Sequence, residues 1–301
     1  MKILVTGAKG FIGTNLCKHL QQWDWEWSKL DIPIWDWAPK HEIITWDRVD
    51  GDLCRIRSFP EVDVVIHLAA MVTTKEFYTK GFEVVKNNIV PTLNLLEFYR
   101  QQNKKPLFMY AGTPESYAGA TDLYNYKIPT DEKAPFVIDD PTNLRWSYAG
   151  SKALGEQAVI ASGLDYIIFR PHNIYGPNQE GHFVSDFVGR AKKNDFTLFG
   201  GTNMRTWCYI DDFCDALIKL MTCEKAIGEI VNIGGTEEQT IYDTAKQILD
   251  IMNINQEIIV HKAPKGSTNR RKADISKLQS LIDWTPTTTL KEGLTKTLET
   301  L

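Results

Sequence analysis

Thr6-Gly7-Ala8-Lys9-Gly10-Phe11-Ile12-Gly13 follows directly on the β-rich run Lys2-Ile3-Leu4-Val5. Three glycines in a G-x-x-G-x-x-G spacing stand between an apolar strand and a helical pattern from Gly10 to Gln22. Glycine at these places permits a tight turn, lets backbone N–H groups approach a pyrophosphate, and lets the helix pack close to the strand. In a chain with 20 glycines the spacing alone is weak evidence, but the strand before it and the helix after it make it a dinucleotide-binding loop. The cofactor contacts expected here are Gly7, Gly10, Phe11, Ile12 and Gly13. Farther along, Asp31 stands where a carboxylate would accept hydrogen bonds from an adenosine ribose and repel a 2′-phosphate, so the expected cofactor is NAD. The competing reading of Asp31 is a turn aspartate ahead of Pro33.

Working outward, short β-rich runs recur at Ile3 to Val5, Val62 to Leu68, Leu107 to Tyr110 and Tyr166 to Phe169, with helical stretches at Val84 to Gln102 and Tyr148 to Ser162 between them. That alternation predicts an α/β fold, a Rossmann-type doubly wound parallel sheet. In the last third the order changes. Helices are expected at Phe183 to Lys193, Tyr209 to Thr222 and Ile241 to Met252, with short strands such as Glu229 to Ile233 between them. The expected division is therefore an NAD-binding domain over 1–170 and a smaller mixed α/β substrate lobe over 171–301, with later strands free to return to the first.

The 301 residues are 24% charged and 43% hydrophobic, which excludes a disordered chain or a coiled coil as the main state. Thirty-eight acidic against 34 basic residues give a net charge of -4, against a nucleic-acid or anionic-membrane partner. The five cysteines form no C-x-x-C pair and their number is odd, so buried thiols in a reducing, cytoplasmic setting are expected. The six histidines lack ligand spacings, and no metal is expected; His67, ending an apolar run, reads as a satisfied core residue. Trp23, Trp25, Trp27, Trp35, Trp37 and Trp46 crowd one stretch, read as a packed or subunit-facing surface.

Tyr148-Ala149-Gly150-Ser151-Lys152 places a phenol and an ammonium four residues apart on one helix face. Among 11 tyrosines such a pair arises by chance, and Tyr242 with Lys246 is a second instance. Context chooses the first. It follows the strand closed by Thr113, at the carboxyl end where open α/β sheets carry their chemistry, whereas Tyr242 falls in the smaller lobe.

Taken together these residues resemble the extended short-chain dehydrogenase/reductase family, the nucleotide-sugar epimerases and dehydratases. The resemblance rests on the glycine loop, Gly51-Asp52-Leu53, His67-Leu68-Ala69-Ala70, Asn87-Asn88 before Thr92, Thr113, and Tyr148 with Lys152. It extends through Arg170-Pro171-His172-Asn173-Ile174-Tyr175-Gly176-Pro177, Arg205 before Tyr209-Ile210-Asp211-Asp212, and Arg270-Arg271 before Asp274. It implies that Asp52 and Leu53 flank the adenine, that Leu68, Ala69, Ala70 and Pro171 line the cofactor site, and that Asn88 orders the central helix. Asn173 would bond the substrate, while Arg205 and Arg271 would clamp its diphosphate with forked donors. For His172, next to Asn173, a place in the pocket stays open beside simple packing.

The implied chemistry has Lys152 and the nicotinamide cation lowering the Tyr148 pKa, so that the phenolate takes a sugar hydroxyl proton while Thr113 holds the hydroxyl. Thr113 is followed by Pro114 and Glu115, where 4,6-dehydratases of the family carry Asp-Glu. Pro114 cannot act as the acid. Glu115 matches the dehydratase glutamate and also that of UDP-glucuronate decarboxylases, where it would place the uronate or manage protons; it could equally pair inertly with a base. The first expectation is 4-epimerisation through a transient 4-keto sugar, with decarboxylation or 4,6-dehydration as alternatives. An NADPH-dependent 4-keto reductase follows, and a non-catalytic dinucleotide sensor comes last. The partners expected are a nucleotide-diphosphate sugar and, from the resemblance, a second copy of the chain.

Overall fold

A computed structural model describes residues 1–27, 41–138, 140–263 and 267–300. Its main sheet is built from β1 (Lys2–Thr6), β2 (Glu42–Trp46), β3 (Val64–His67), β4 (Leu107–Ala111), β5 (Tyr166–Pro171) and the strand Glu229–Ile233. From one edge the order is Glu229–Ile233, β5, β4, β3, β1, β2. The ladders joining β2, β1, β3, β4 and β5 are all parallel. The chain lays β2 on one side of β1 and β3 on the other, so the strand order reverses between β1 and β3. Crevices at the carboxyl ends of strands flanking such a reversal are where open α/β sheets bind ligands. The fold expectation is met.

Fully buried strands show why the parallel sheet forms. Ile3, Leu4 and Val5 of β1 and Ile167, Ile168 and Phe169 of β5 have no exposed surface. Each such apolar side chain contributes about 1.5–3 kcal/mol on leaving water. The crossovers are α1 (Phe11–Trp27), α2 (Thr74–Thr79) with α3 (Gly81–Arg100), and α4 (Ala118–Tyr124) with α5 (Trp146–Ala161). β2 was not among the expected strands. It is five residues long, with only partly buried apolar positions, and ends in the tryptophan-rich stretch, so period-2 patterning barely marks it. Trp46 is partly buried and packs edge-on against Phe59 of the core, 5.7 Å between ring centroids. Asp31, Trp35 and Trp37 lie outside the described residues.

The described chain separates into two compact units. One comprises Met1–Thr113, Asp140–Arg170 and Cys214–Val231; the other Pro114–Asp139, Pro171–Phe213 and Asn232–Leu301. In the second unit the strand Met204–Thr206 runs between Glu238–Thr240, antiparallel, and Arg270–Arg271, parallel. Cys54, Cys208 and Cys214 are buried as expected, whereas Cys17 and Cys223 are half-buried. Among the described residues no helix is long and apolar enough to cross a membrane.

Candidate active site

The glycine loop closes as its spacing requires. Gly7 takes φ +73°, and a Cβ there would lie 2.8 Å from the Ala69 nitrogen; a Cβ on Gly13 would lie 2.2 Å from the Gly7 carbonyl oxygen. The loop is therefore packed backbone to backbone against the turn after β3 and against the first turn of α1, with no room for a side chain at either place. That first turn, which includes Phe11, Ile12 and Gly13, carries no acidic residue, and its N–H groups lack helical acceptors. Thr14 Oγ1 donates to the Ala8 carbonyl at 3.2 Å and the Gly10 nitrogen to the Gly7 carbonyl at 3.1 Å. This is an anion cradle of the kind a dinucleotide pyrophosphate fills.

The floor beside it is tied down by a directional hydrogen-bond chain. Thr92 Oγ1 donates to the Asn88 carbonyl (2.9 Å) and so accepts from His67 Nε2–H (3.0 Å). His67 Nδ1 is then the acceptor, taking the Thr6 hydroxyl proton at 2.6 Å, and Thr6 Oγ1 in turn accepts from the Ala69 nitrogen at 3.4 Å. Burial first, and the Lys152 charge second, hold His67 down at about 3, so it is neutral as this pattern needs. His67 is the satisfied core residue expected. Leu68, Ala69 and Ala70 are half-buried. Asn88, 1% exposed, accepts from the Met71 nitrogen (2.7 Å) and donates to Ser151 Oγ (3.1 Å), joining the turn after β3 to α5. Asp52 is exposed and accepts from the Cys54 nitrogen, while Leu53 belongs to the buried cluster of Leu4, Val65 and Leu95.

Tyr148 and Lys152 sit one helical turn apart on α5. Tyr148 stacks face to face on Phe77 of α2, 4.6 Å between centroids and 8° between planes. Lys152 is 3% exposed, with its Nζ 4.6 Å from the centroid of Tyr110 on β4. Desolvation pulls the ammonium down to about 8, with Glu156 working in the opposite direction. Thr113, two residues beyond β4, is also buried. All of these belong to the first unit.

The second unit gathers the charged candidates. The register Arg271↔Arg205 between parallel strands puts both arginines on one face of their sheet. Arg270, its side chain on the opposite face, forks onto Glu238 at 2.7 and 2.8 Å. Arg271 NH1 meets Glu115 Oε1 at 2.6 Å, and Arg205 donates to the carbonyls of Met204 and Thr268. Burial, then the neighbouring Arg271, pull Arg205 down to about 10, still a cation at neutral pH. Burial disfavours the Arg271 charge too, but Glu115, together with Tyr117 and Asp122, works against it and the net shift is upward. Asn173 adopts φ 44° and donates to the Thr206 carbonyl at 2.9 Å; Pro171 before it ends β5. His172 is fully buried, its Nε2 2.5 Å from Tyr117 Oη and 3.4 Å from Asn232 Oδ1.

A model of the NAD dependent epimerase/dehydratase family matches residues 3–234, more than half of the chain and including the glycine loop, Thr113, Tyr148 and Lys152. The chain belongs to that family. Similar proteins include the UDP-N-acetyl-alpha-D-glucosaminuronate decarboxylase of Bacillus cytotoxicus, 29% identical, covering 99% of this chain and 97% of that protein. UDP-glucuronic acid decarboxylase 6 of Arabidopsis thaliana is 27% identical over 98% of this chain and 87% of its own. Among solved structures, UDP-glucuronic acid 4-epimerase from Bacillus cereus, in complex with UDP-glucuronic acid and NAD, superposes with a TM-score of 0.79. It is 27% identical, covering 100% of this chain and 98% of its own. As a member of the epimerase/dehydratase family, of the extended short-chain dehydrogenase/reductase type, this protein is an NAD-dependent nucleotide-sugar-modifying enzyme. The backbone cradle around Gly7 and Gly13 fits that cofactor.

Three features escaped sequence reading. Phe77 on Tyr148 had no local signal. Glu156 and Arg170 form a buried ion pair, and Glu156 was marked by its place four residues after Lys152 on the same helix. Pairing of Glu115 with Arg271 joins residues 156 apart in sequence, which spacing cannot reveal.

Proposed function

We propose that this enzyme oxidises C4 of a UDP-linked uronic acid and that the resulting 4-keto acid loses its carboxyl group. The observation that carries the reading is the Glu115–Arg271 ion pair beside Arg205, a guanidinium already engaged by a carboxylate and therefore suited to a uronate. The three relatives described above carry uronates in their names, which supports the same substrate class. A ketone at C4 stands β to the C6 carboxylate. Departure of carbon dioxide leaves its electron pair at C5, delocalised onto the C4 oxygen, and C5 then takes a proton.

NAD, when bound, supplies the hydride acceptor for C4 and the donor that returns the hydride. The cradle of Gly7, Gly10, Phe11, Ile12 and Gly13 would hold it, and Asp31, Asp52, Leu53, Leu68, Ala69, Ala70, Asn88 and Pro171 would supply the other cofactor contacts that the resemblance implies. Tyr148 Oη takes the proton of the C4 hydroxyl and later gives it back. Thr113 Oγ1 orients that hydroxyl, and the Lys152 ammonium stabilises the phenolate. Asn173 and Arg205 bind the nucleotide portion; Arg271, which the resemblance implies for the diphosphate, is assigned here to the sugar-side carboxylate instead.

The second reading is 4-epimerisation, favoured by one feature: Pro114 supplies no acid, and the Glu115 carboxylate is already engaged by Arg271. Incubation with UDP-glucuronic acid, UDP-N-acetylglucosaminuronic acid and UDP-glucose, followed by proton NMR, separates the two. Carbon dioxide and a UDP-pentose support decarboxylation, whereas an intact uronate inverted at C4 supports epimerisation. The active form is a homodimer through α3 and α5, whose Phe82, Val85, Leu93, Leu154 and Ile160 are exposed apolar side chains. A monomer mass at micromolar concentration contradicts the dimer.

A further inference from the structure

The helix α5 spaces Tyr148, Lys152 and Glu156 four residues apart, so the three side chains follow one face. Glu156 is 4% exposed and Arg170, on β5, 6%. Both arms of the guanidinium hold the carboxylate, Nε to Oε1 at 3.0 Å and NH2 to Oε2 at 2.7 Å. The same carboxylate lies against the turn that carries Thr113, since a Cβ on Gly112 would come within 2.2 Å of Glu156 Oε1 and 3.2 Å of Arg170 Cγ. One buried ion pair thus touches the segment of Thr113 and stands one turn from Lys152.

The groups around Lys152 leave Glu156 as its countercharge. On α5 itself the ionisable residues nearest in sequence are Tyr148 and Glu156. From β4 comes Tyr110, whose ring the ammonium faces; from β3, His67, held neutral; and from β5, Arg170, already taken up by Glu156. The charged residues of α3, which packs along α5, are Glu83, Lys86, Glu97 and Arg100, all exposed. On α2, Lys75 is exposed and Glu76 is engaged by Thr73 and Lys80. A buried ammonium facing an aromatic ring, with one carboxylate to oppose its desolvation, depends on that carboxylate.

We propose that Glu156 and Arg170 are positioning residues for proton transfer: Glu156 keeps Lys152 charged in its desolvated place, and Arg170 keeps Glu156 aimed and the Gly112-Thr113 turn seated. This rests on the reading that Tyr148 and Lys152 carry the proton transfer. A bare stabilising pair would contribute to melting temperature alone. A positioning pair also sets how the rate depends on pH. Lys152 as ammonium is present below its folded pKa and lost above it, so turnover that needs the ammonium falls on the alkaline side. Loss of the Glu156 charge moves that fall to lower pH.

The test compares Glu156→Gln and Glu156→Asp with the unmodified enzyme, scoring NAD content, melting temperature, KM and the pH profile of kcat. Expected for Glu156→Gln are retained NAD, KM within about twofold, kcat reduced about ten- to a hundredfold, and an alkaline limb lowered by about one unit or more. Glu156→Asp keeps the charge and shortens its reach to Arg170, so kcat falls severalfold while the alkaline limb stays near its place. A lower melting temperature in Glu156→Gln with unchanged kcat and pH profile overturns the proposal. Should Glu156→Gln not fold, full activity of Glu156→Asp overturns it. Tyr148→Phe, measured alongside, separates the premise: if that variant is active the proton-transfer reading itself fails, and if it is inactive while Glu156→Gln is normal only the positioning role fails.

Discussion

Two of the arginine–glutamate pairs among the described residues, Arg170 with Glu156 and Arg271 with Glu115, differ in how they are built. Arg170 and Glu156 share two hydrogen bonds, with side-chain exposures of 8% and 5%. Arg271 and Glu115 meet through one guanidinium nitrogen, with exposures of 14% and 25%. A buried fork cannot exchange its carboxylate without leaving a charge stranded away from water, whereas a single contact in a partly buried pair can trade one carboxylate for another at lower cost. The first pair is a fixed part of the framework behind Lys152. The second is, in the proposed reading, the element that receives the substrate carboxylate.

The comparison can be broken in several ways. Tyr148→Phe, on the fixed side, should lower kcat by about a hundred- to ten-thousandfold while NAD is retained, measured by turnover and by dinucleotide content. Arg170→Met should cost about 3–5 kcal/mol in denaturant unfolding because Glu156 is left buried and unpaired; Arg271→Met should cost less than that, because the Glu115 it leaves is more exposed than Glu156. Acid should weaken the fixed unit through His67, whose pKa is about 3 folded against an ordinary value of 6.5. Its neutral form is favoured by folding, so this contribution is complete above the unfolded pKa and is lost as pH falls, roughly 3 kcal/mol by pH 4. Unfolding curves across that range should show the loss, and His67→Phe should flatten it. On the exchangeable side, Arg271→Lys should raise KM for a nucleotide uronate about tenfold with a smaller change in kcat, since a point charge replaces a fork. Smallest of all, Glu115→Gln should shift stability by less than about 1 kcal/mol.

Much of the first unit was legible in the sequence because its signals are local. A strand, three spaced glycines and a helix are contiguous, and Tyr148 with Lys152 is a single helical turn. The helices Val84 to Gln102 and Tyr148 to Ser162 were placed within three residues of their observed ends at Gly81–Arg100 and Trp146–Ala161. β2 was missed because five residues, three half-buried and two exposed, carry little periodicity. Glu115 was recognised as a carboxylate of interest, but its partner comes from a strand far along the chain, so an inert pair, a proton shuttle and a uronate holder read alike. Arg170 was visible as a motif residue, yet only the fold shows that its guanidinium faces inward to Glu156 rather than to a ligand. Long-range pairing of charges is set by register and packing, as with Arg205 and Arg271, and no spacing rule encodes it.

Transient oxidation at C4 is most directly tested with UDP-glucuronic acid carrying deuterium at C4. The expected result is a primary isotope effect on turnover, with the deuterium found again at C4 of the sugar product and no loss to solvent. Turnover with no isotope effect, or deuterium released to water, would contradict C4 oxidation with hydride return to the same sugar.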